Sequence, residues 1–252
     1  MQIVIIGSGN VASVLGRLCK QNGHRVLQVI SRNAQHAKML AEELHCDHAD
    51  YQGNINMQAE LYLVAVADTA LFDLNKDFSL GNKLILHTAG SVSKQVLQNI
   101  SVNYGVLYPL QSLRKEMQYD NDIPLLIDGN TEETITLVED FAKTISSNVS
   151  KANDEQRLKL HVAAVVVSNF TNHLYALAEE FCKKEAVDFS LLEPLIKETA
   201  ARVQHASPAD MQTGPAVRND IFTIDKHLRI LSAHPQLKYI YIKLTDSIMK
   251  GG

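Results

Sequence analysis

The first dozen residues constrain this chain more than any other stretch. Gln2-Ile3-Val4-Ile5-Ile6 is an apolar, β-branched run of strand length, and Gly7-Ser8-Gly9-Asn10-Val11-Ala12 follows it at once. From Val11 to Gln21 the apolar residues Val11, Val14, Leu15 and Leu18 recur at helical spacing. Strand, glycine turn and helix, with G-x-G-x-x-A in the turn, form a cradle for a dinucleotide pyrophosphate. Gly7 allows the tight turn, Gly9 leaves the backbone open to the phosphates, and Ala12 is small enough for the helix to pack on the strand. Ser8, Asn10 and Val11 complete the turn, where the helix N-terminus offers free N–H groups and the positive end of its dipole. The same letters also occur in tight βα turns that bind nothing, but a strand before and a helix after favour the cofactor site.

Other bounds narrow the classes. A length of 252 residues fits one or two domains. A net charge of -4 leaves no basic footprint for nucleic acid. No apolar run reaches the ~18 residues of a membrane span, and a chain that enters a strand at once carries no signal peptide. Cys19, Cys46 and Cys182 are scattered without a C-x-x-C pair, as expected of reduced thiols in the cytoplasm. His45-Cys46-Asp47-His48 invites a metal reading. A zinc site draws ligands from two separated pairs, however, and no second pair is visible. No metal is expected there; a helix C-terminus entering a short third strand is the better reading.

The second strand, Arg25–Ile30, ends at Ser31-Arg32-Asn33. An NAD site would place an acidic residue near here for the ribose 2′-OH. A hydroxyl beside a guanidinium instead suits a 2′-phosphate, so NADP is expected over NAD. Alternatively, Arg32 is a solvated charge opening the helix Ala34–Leu44. Glu60–Val66 reads as a buried strand, and the Ala67-Asp68-Thr69 that follows either reaches the cofactor or caps a helix over Ala70–Leu74. Lys83–His87 leads into Thr88-Ala89-Gly90-Ser91, whose small and hydroxyl side chains suit the nicotinamide half. Strands Tyr104–Leu107 and Ile123–Ile127, the helix Thr131–Ile145 and a short strand at Asn148-Val149 complete a parallel α/β layer.

Beyond Ser150 the periodicity becomes helical. Asp154–Ala186 reads as one long helix carrying Leu158, Val162, Val166, Phe170 and Leu174 at helical spacing. At 3.6 residues per turn, His161, Ser168 and Asn172 fall within about 20° of one azimuth, with Asn169 beside them. Such a polar stripe is a site wall, a dimer seam or a satisfied core histidine. Further helices are expected over Phe189–Gln204, Arg218–Leu231 and Gln236–Met249, the first of the last two preceded by Thr213-Gly214-Pro215 as a helix-start signal. The organisation expected is a dinucleotide-binding α/β domain over residues 1–150 and an all-α substrate and dimerisation domain over 151–252, with the cleft between them as the default site.

Four motifs carry a family resemblance: His87-Thr88-Ala89-Gly90, Tyr108-Pro109-Leu110-Gln111, His161-x-x-Ala164-x-x-x-Ser168-Asn169, and the Thr-Gly-Pro-x-x-Arg segment Thr213 to Arg218. Through them the chain is similar to a bacterial branch of NADP oxidoreductases with a C-terminal domain of unknown function. Its N-terminal part resembles the NADP-binding domain of F420-dependent NADP oxidoreductases. The branch is allied to ketopantoate reductase, pyrroline-5-carboxylate reductase and the β-hydroxyacid dehydrogenases. The resemblance implies an α/β Rossmann-type parallel-sheet domain followed by an all-α domain like the C-terminal domain of 6-phosphogluconate dehydrogenase. It also implies an NAD(P)-dependent oxidoreductase, usually a homodimer through the helical domain. One departure stands out. Ketopantoate reductase and the β-hydroxyacid dehydrogenases carry a lysine on the first helix of the second domain, with asparagine four residues on. This chain has His161 and Val165, and Lys159 is about 160° around the helix from His161.

Two functions follow as expectations. The first is a reductase moving a hydride between NADP(H) and a small carbonyl or imine compound. The phosphates would lie on Gly7–Ala12 and the 2′-phosphate at Ser31 and Arg32, with Ala67, Asp68, Thr88 and Ala89 along the cofactor. His161 would donate the proton, since histidine titrates near neutrality. Asn169 and Thr88 would orient the substrate, Ser168 and Asn172 would line it, and Arg218 would hold a carboxylate or phosphate on it. The second is a non-catalytic dinucleotide-binding dimer, a redox sensor or partner-binding module, which the missing lysine motivates. Under the first, the partners are a small-molecule substrate and a second copy of the chain, with no nucleic acid and no membrane.

Overall fold

The computed structural model describes residues 1–251. The chain divides into two compact units, Met1–Asn169 and Phe170–Gly252. In the first, eight strands form one sheet: β1 (Gln2–Ile6), β2 (Arg25–Ile30), β3 (Asp47–Ala49), β4 (Leu61–Val64), β5 (Gly81–His87), β6 (Ser101–Pro109), β7 (Leu125–Gly129) and β8 (Val149–Lys151). Their spatial order is β3-β2-β1-β4-β5-β6-β7-β8. Strands β1 to β6 are mutually parallel. β7 runs antiparallel to β6, and β8 parallel to β7. The expected all-parallel sheet is therefore corrected at its last two strands. Parallel neighbours need a crossover, usually a helix. Residues 110–124 form none, and the chain turns back with Leu110 N–H donating to Pro124 O at 2.8 Å.

Alternation along each strand sends side chains to both faces. Ile3, Ile5, Leu61, Leu63, Leu84 and Leu86 pack in a core with residues of α1 (Asn10–Gln21), α2 (Ala34–Leu44) and, further along in the chain, the helix Glu132–Ile145. Val4, Ile6, Tyr62, Val64 and Ile85 build a second core with Leu71, Leu74, Phe78, Leu97 and Ile100. Because both faces are covered, the strands read as continuous apolar runs. Each fully buried Leu or Ile contributes roughly 1.5–3 kcal/mol. His45 takes the left-handed C-cap conformation of α2, φ 58°, and the chain then enters β3.

Helix α3 (Asp68–Leu71) is shorter than expected, and α4 (Glu132–Ile145) is capped by Thr131, which accepts from Thr134 N–H. α5 (Asp154–Ala164) opens on a capping box in which Asn153 and Gln156 satisfy each other's backbone N–H groups. Val165–Phe170 then forms a π-helical turn before α6 (Thr171–Lys184). The single long α-helix expected over 154–186 is thus interrupted. A turn closed by i→i+5 bonds is wider than 3.6 residues, so the common azimuth expected for His161 and Asn172 does not hold across it. The unit boundary falls in this π-turn, because the residues of α5 are tied to the strand-end loops by contacts described below.

The C-terminal unit comprises α6, α7 (Glu193–Arg202), α8 (Ile221–Ile230) and α9 (Pro235–Gly251). Asp220 caps α8, accepting from the Thr223 N–H at 3.0 Å and hydroxyl at 2.7 Å. Thr213-Gly214-Pro215 therefore precedes the helix rather than starting it, and Arg218 lies before its first turn. Among the described residues, no helix is long and apolar enough to cross a membrane.

His87, buried at the end of β5, has its pKa pushed down from 6.5 to about 4, first by burial and then by the positive charge of Arg157. The unfolded chain takes up this proton below its ordinary pKa while the folded chain does not. Stability is therefore lost as pH falls from about 6.5 toward 4, on the order of 3 kcal/mol in total. Urea unfolding at pH 7 and pH 4.5 is expected to show this loss. His87→Asn, which keeps an acceptor for the Ala89 N–H that now bonds Nδ1, is expected to shrink it; an equal loss in the variant would contradict the assignment.

Candidate functional site

Neighbouring strands β1 and β4 send their following segments to opposite sides, and a crevice opens at their carboxyl ends. Gly7 N–H donates to Ile30 O and Ala65 N–H to Ile6 O, both at 2.7 Å. Gly7 has φ +126°, and a Cβ there would lie 2.0 Å from the Ala65 carbonyl oxygen. Only glycine lets the turn pass so close to the end of β4. At Gly9, by contrast, a Cβ would meet no atom within 4 Å. That open space borders the N-terminus of α1, where Ser13 N–H makes the first helical bond, to Gly9 O at 3.0 Å. The N–H groups of Asn10, Val11 and Ala12 precede this ladder, and no side chain caps the helix. Ser8 donates its hydroxyl to Ser31 at 2.9 Å, and the Arg32 guanidinium lies 5.8 Å from the centre of the Tyr51 ring.

These residues line a cleft of about 490 Å3. The turn Gly7–Val11 forms one side, Ser31 and Arg32 stand with Tyr51, and Ala67, Asp68, Thr88 and Ala89 complete the lining. Ala12 is fully buried in the core behind. The donor set fits a dinucleotide bearing a 2′-phosphate: open backbone for the pyrophosphate, hydroxyls and a planar cation for the extra phosphate. Neither Asp68 nor Thr69 caps α3, because Ala67 occupies that position. The Asp68 carboxylate instead accepts from the Ser91 hydroxyl.

A second cleft, about 610 Å3, shares Val11, Thr88, Tyr108 and His161 with the first, and continues along Pro109–Ser112 to Ser168 and Asn169. Where the two join, Tyr108 Oη and His161 Nδ1 are 2.9 Å apart and the rings meet edge to face. Gly90 makes room for this pair, since a Cβ there would stand 2.8 Å from His161 Nδ1 and from Tyr108 Cζ. Burial, and then the Asp68 charge, raise the Tyr108 pKa above its ordinary 10.0. The phenol therefore stays protonated at neutral pH. Thr88 donates its hydroxyl to Val64 O at 3.2 Å, which leaves its lone pairs free. Ser112 and Ser168 share a hydroxyl hydrogen bond of 2.7 Å.

The structure thus brings His161, Thr88, Ser168 and Asn169 to one cleft, while Asn172 and Arg218 belong to the C-terminal unit. Lys159 is exposed and paired with Glu155 at 2.5 Å. Tyr51 and Tyr108 receive no role from the sequence, and Gly90 is read there only as one of the small residues suited to the nicotinamide half. No local pattern links Tyr108 to His161, 53 residues apart; its place at a strand's carboxyl end is the available signal. A larger groove of about 780 Å3 lies between α1 and residues 115–121. It includes none of the strand-end residues, and Arg17 on its wall is engaged by Glu43 and Lys115 O.

Residues 2–90 match the family model described as NADP oxidoreductase, coenzyme F420-dependent, and residues 123–248 match a domain of unknown function, DUF2520. A candidate NADP oxidoreductase from Bacteroides fragilis is 38% identical, over 99% of this chain and 98% of its own, with a TM-score of 0.92. A 1-pyrroline-5-carboxylate reductase from Streptococcus pyogenes is 17% identical over 99% of this chain and 98% of its own, with a TM-score of 0.66. A reductive aminase from Aspergillus terreus, solved with NADPH and ethyl-5-oxohexanoate, is 15% identical over 100% and 94%, with a TM-score of 0.71. At such identities these two share the fold. No curated protein matches the chain.

Gly7→Ala is expected to lose about 1–3 kcal/mol of stability through overpacking against the Ala65 carbonyl and to weaken NADPH binding at least about tenfold, or 1.4 kcal/mol. Denaturant unfolding and calorimetry check both. Unchanged binding would show that the turn is no cradle.

Proposed function

The chain belongs to the family in which an NADP oxidoreductase domain of the F420-dependent type precedes DUF2520, and from that premise we propose that it reduces a small carbonyl or imine compound with NADPH. The observation that carries this reading is the junction of the two clefts at Tyr108 and His161. A cofactor in the first cleft and a substrate in the second would meet beside a pair of proton-carrying side chains.

Bound NADPH would supply the hydride for the carbon of a C=O or C=N bond; the heteroatom would then need one proton, giving the alcohol or amine and NADP+. The residues of this chain do the rest. The amides at Gly9–Ala12 hold the pyrophosphate, and Ser31 and Arg32 hold the 2′-phosphate. Tyr108 and His161 carry the proton. If Oη donates to Nδ1, Nε2 bears the hydrogen that reaches the substrate; if Nδ1–H donates to Oη, the phenol proton is the one delivered. Solvent restores it in either case. Thr88 and Asn169 orient the heteroatom, and Ser168 lines the substrate.

A second copy of the chain is proposed to cover the C-terminal unit. α7 and α9 contain no buried residue. Leu191, Leu195 and Phe222 are 76%, 55% and 70% exposed, apolar side chains that a second copy would cover. The cytoplasm is the proposed location, in keeping with three unpaired cysteines.

Turnover on a panel of ketones, aldehydes and cyclic imines, followed as NADPH absorbance, tests the reading. His161→Ala or Tyr108→Phe is expected to lower kcat by about a hundredfold or more, with the NADPH Kd within a few-fold of the parent. NADPH binding without turnover of any compound would favour the non-catalytic module instead. Sedimentation equilibrium is expected to give twice the chain mass of 28.0 kDa; a monomer at micromolar concentration would remove the second copy.

A further inference from the structure

The largest fully buried side chain in the molecule is a charged one. Arg157, in the second turn of α5, is 1% exposed. Its Nη2 donates to Val92 O at 2.5 Å and to Asp154 Oδ1 at 2.7 Å. Asp154, the first residue of α5, accepts the Ser93 hydroxyl on its other oxygen and the Lys94 N–H at 3.3 Å on the first. Lys94 in turn reaches Asp128 on β7, Nζ to Oδ2 at 2.6 Å. The segment Val92–Lys94 is therefore pinned on one side to the first turns of α5 and on the other to the sheet.

Residues four apart on a helix stand one above the other on the same face. Arg157 and His161 are such a pair. Arg157 grips the segment just after Gly90, and His161 rests against Gly90 itself, one turn further along. The tolerance there is less than a methyl group, since a Cβ added at Gly90 would come within 2.8 Å of His161 Nδ1. A small axial slide or rotation of α5 would separate Nδ1 from Tyr108 Oη.

Burying a guanidinium is an expensive way to hold a helix. Nε and Nη1 of Arg157 have no hydrogen-bond partner among the described residues, and an apolar side chain of similar volume often serves stability as well or better. What the guanidinium adds is direction: its bond to the Val92 carbonyl, and its hold on Asp154, which in turn accepts from Ser93 and Lys94, fix the height and rotation of the helix against that segment.

We propose that Arg157 is a positioning residue, which through Asp154 and the Val92–Lys94 segment holds α5 at the one setting that joins His161 to Tyr108. Its value to catalysis rests on the reductase reading above; the positioning itself does not.

The test is nitrogen-15 NMR of the histidine rings in the full chain, with NADPH binding followed separately by calorimetry. Tyr108→Phe supplies the reference shift of a His161 Nδ1 that has lost its partner. Arg157→Met is expected to move the Nδ1 resonance to that reference while the NADPH Kd stays within about threefold of the parent. Arg157→Lys, which keeps a donor for Val92 O or Asp154, is expected to restore at least half of the shift. A His161 signal unchanged in Arg157→Met would overturn the proposal. Should that variant not fold, Asp154→Asn decides: it is expected to move the same resonance in the same direction, and an unmoved resonance would overturn the proposal equally. A parent protein that binds no NADPH would sink the reductase reading and leave the positioning result standing.

Discussion

A carbonyl oxygen sits where a side chain would otherwise begin. The Ala65 oxygen lies 2.0 Å from the place of a Gly7 Cβ, and most of the site depends on that contact. It lets β1 turn directly into α1 beside the end of β4. The crevice at the sheet's change of direction then stays narrow enough for backbone N–H groups to face a phosphate. Gly9, one residue beyond Ser8, faces open space. Two glycines in one turn thus do opposite work: the first admits the protein's own backbone, the second leaves room for a ligand's.

A second close approach organises the catalytic end. At Gly90, the absence of a side chain admits the Tyr108–His161 pair, and the two clefts join there. Tyr108 comes from the end of β6 and His161 from α5, so their meeting depends on how α5 is held to the loop after β5. Ion pairs fully exposed on a helix, such as Lys159–Glu155, contribute little to that. The buried Arg157, paired with the half-buried Asp154 and bonded with it to the Val92–Lys94 segment, gives the helix a fixed height.

The α/β half is legible in the sequence because its signals are local. The apolar strand Gln2–Ile6, the glycine turn and the Ser31-Arg32 ending lie within contiguous stretches, and the structure gathers the turn and that ending along one cleft. The antiparallel return of β7 is not legible, because strand direction depends on what the connection lacks, and residues 110–124 give no periodicity to read. The π-turn at Val165–Phe170 escapes for a different reason. Its residues, Val-Val-Val-Ser-Asn-Phe, are compatible with an ordinary α-helix, and a hydrophobic repeat cannot register one extra residue in a turn. Tyr108 stands in a family motif yet gains no task from it, since a hydrogen bond to a residue 53 positions away has no trace in local spacing. Arg157 gives no signal either, because a lone arginine on a helix reads as a solvated charge.

Everything in the crevice points to a dinucleotide with a 2′-phosphate. Calorimetric titration of the protein with NADPH and with NADH, repeated on Arg32→Ala, tests it most directly. NADPH is expected to bind at least about tenfold more tightly than NADH, a difference of 1.4 kcal/mol, and that preference to vanish in Arg32→Ala with NADH affinity unchanged. Equal affinities in the parent protein, or no heat from either nucleotide, would contradict it.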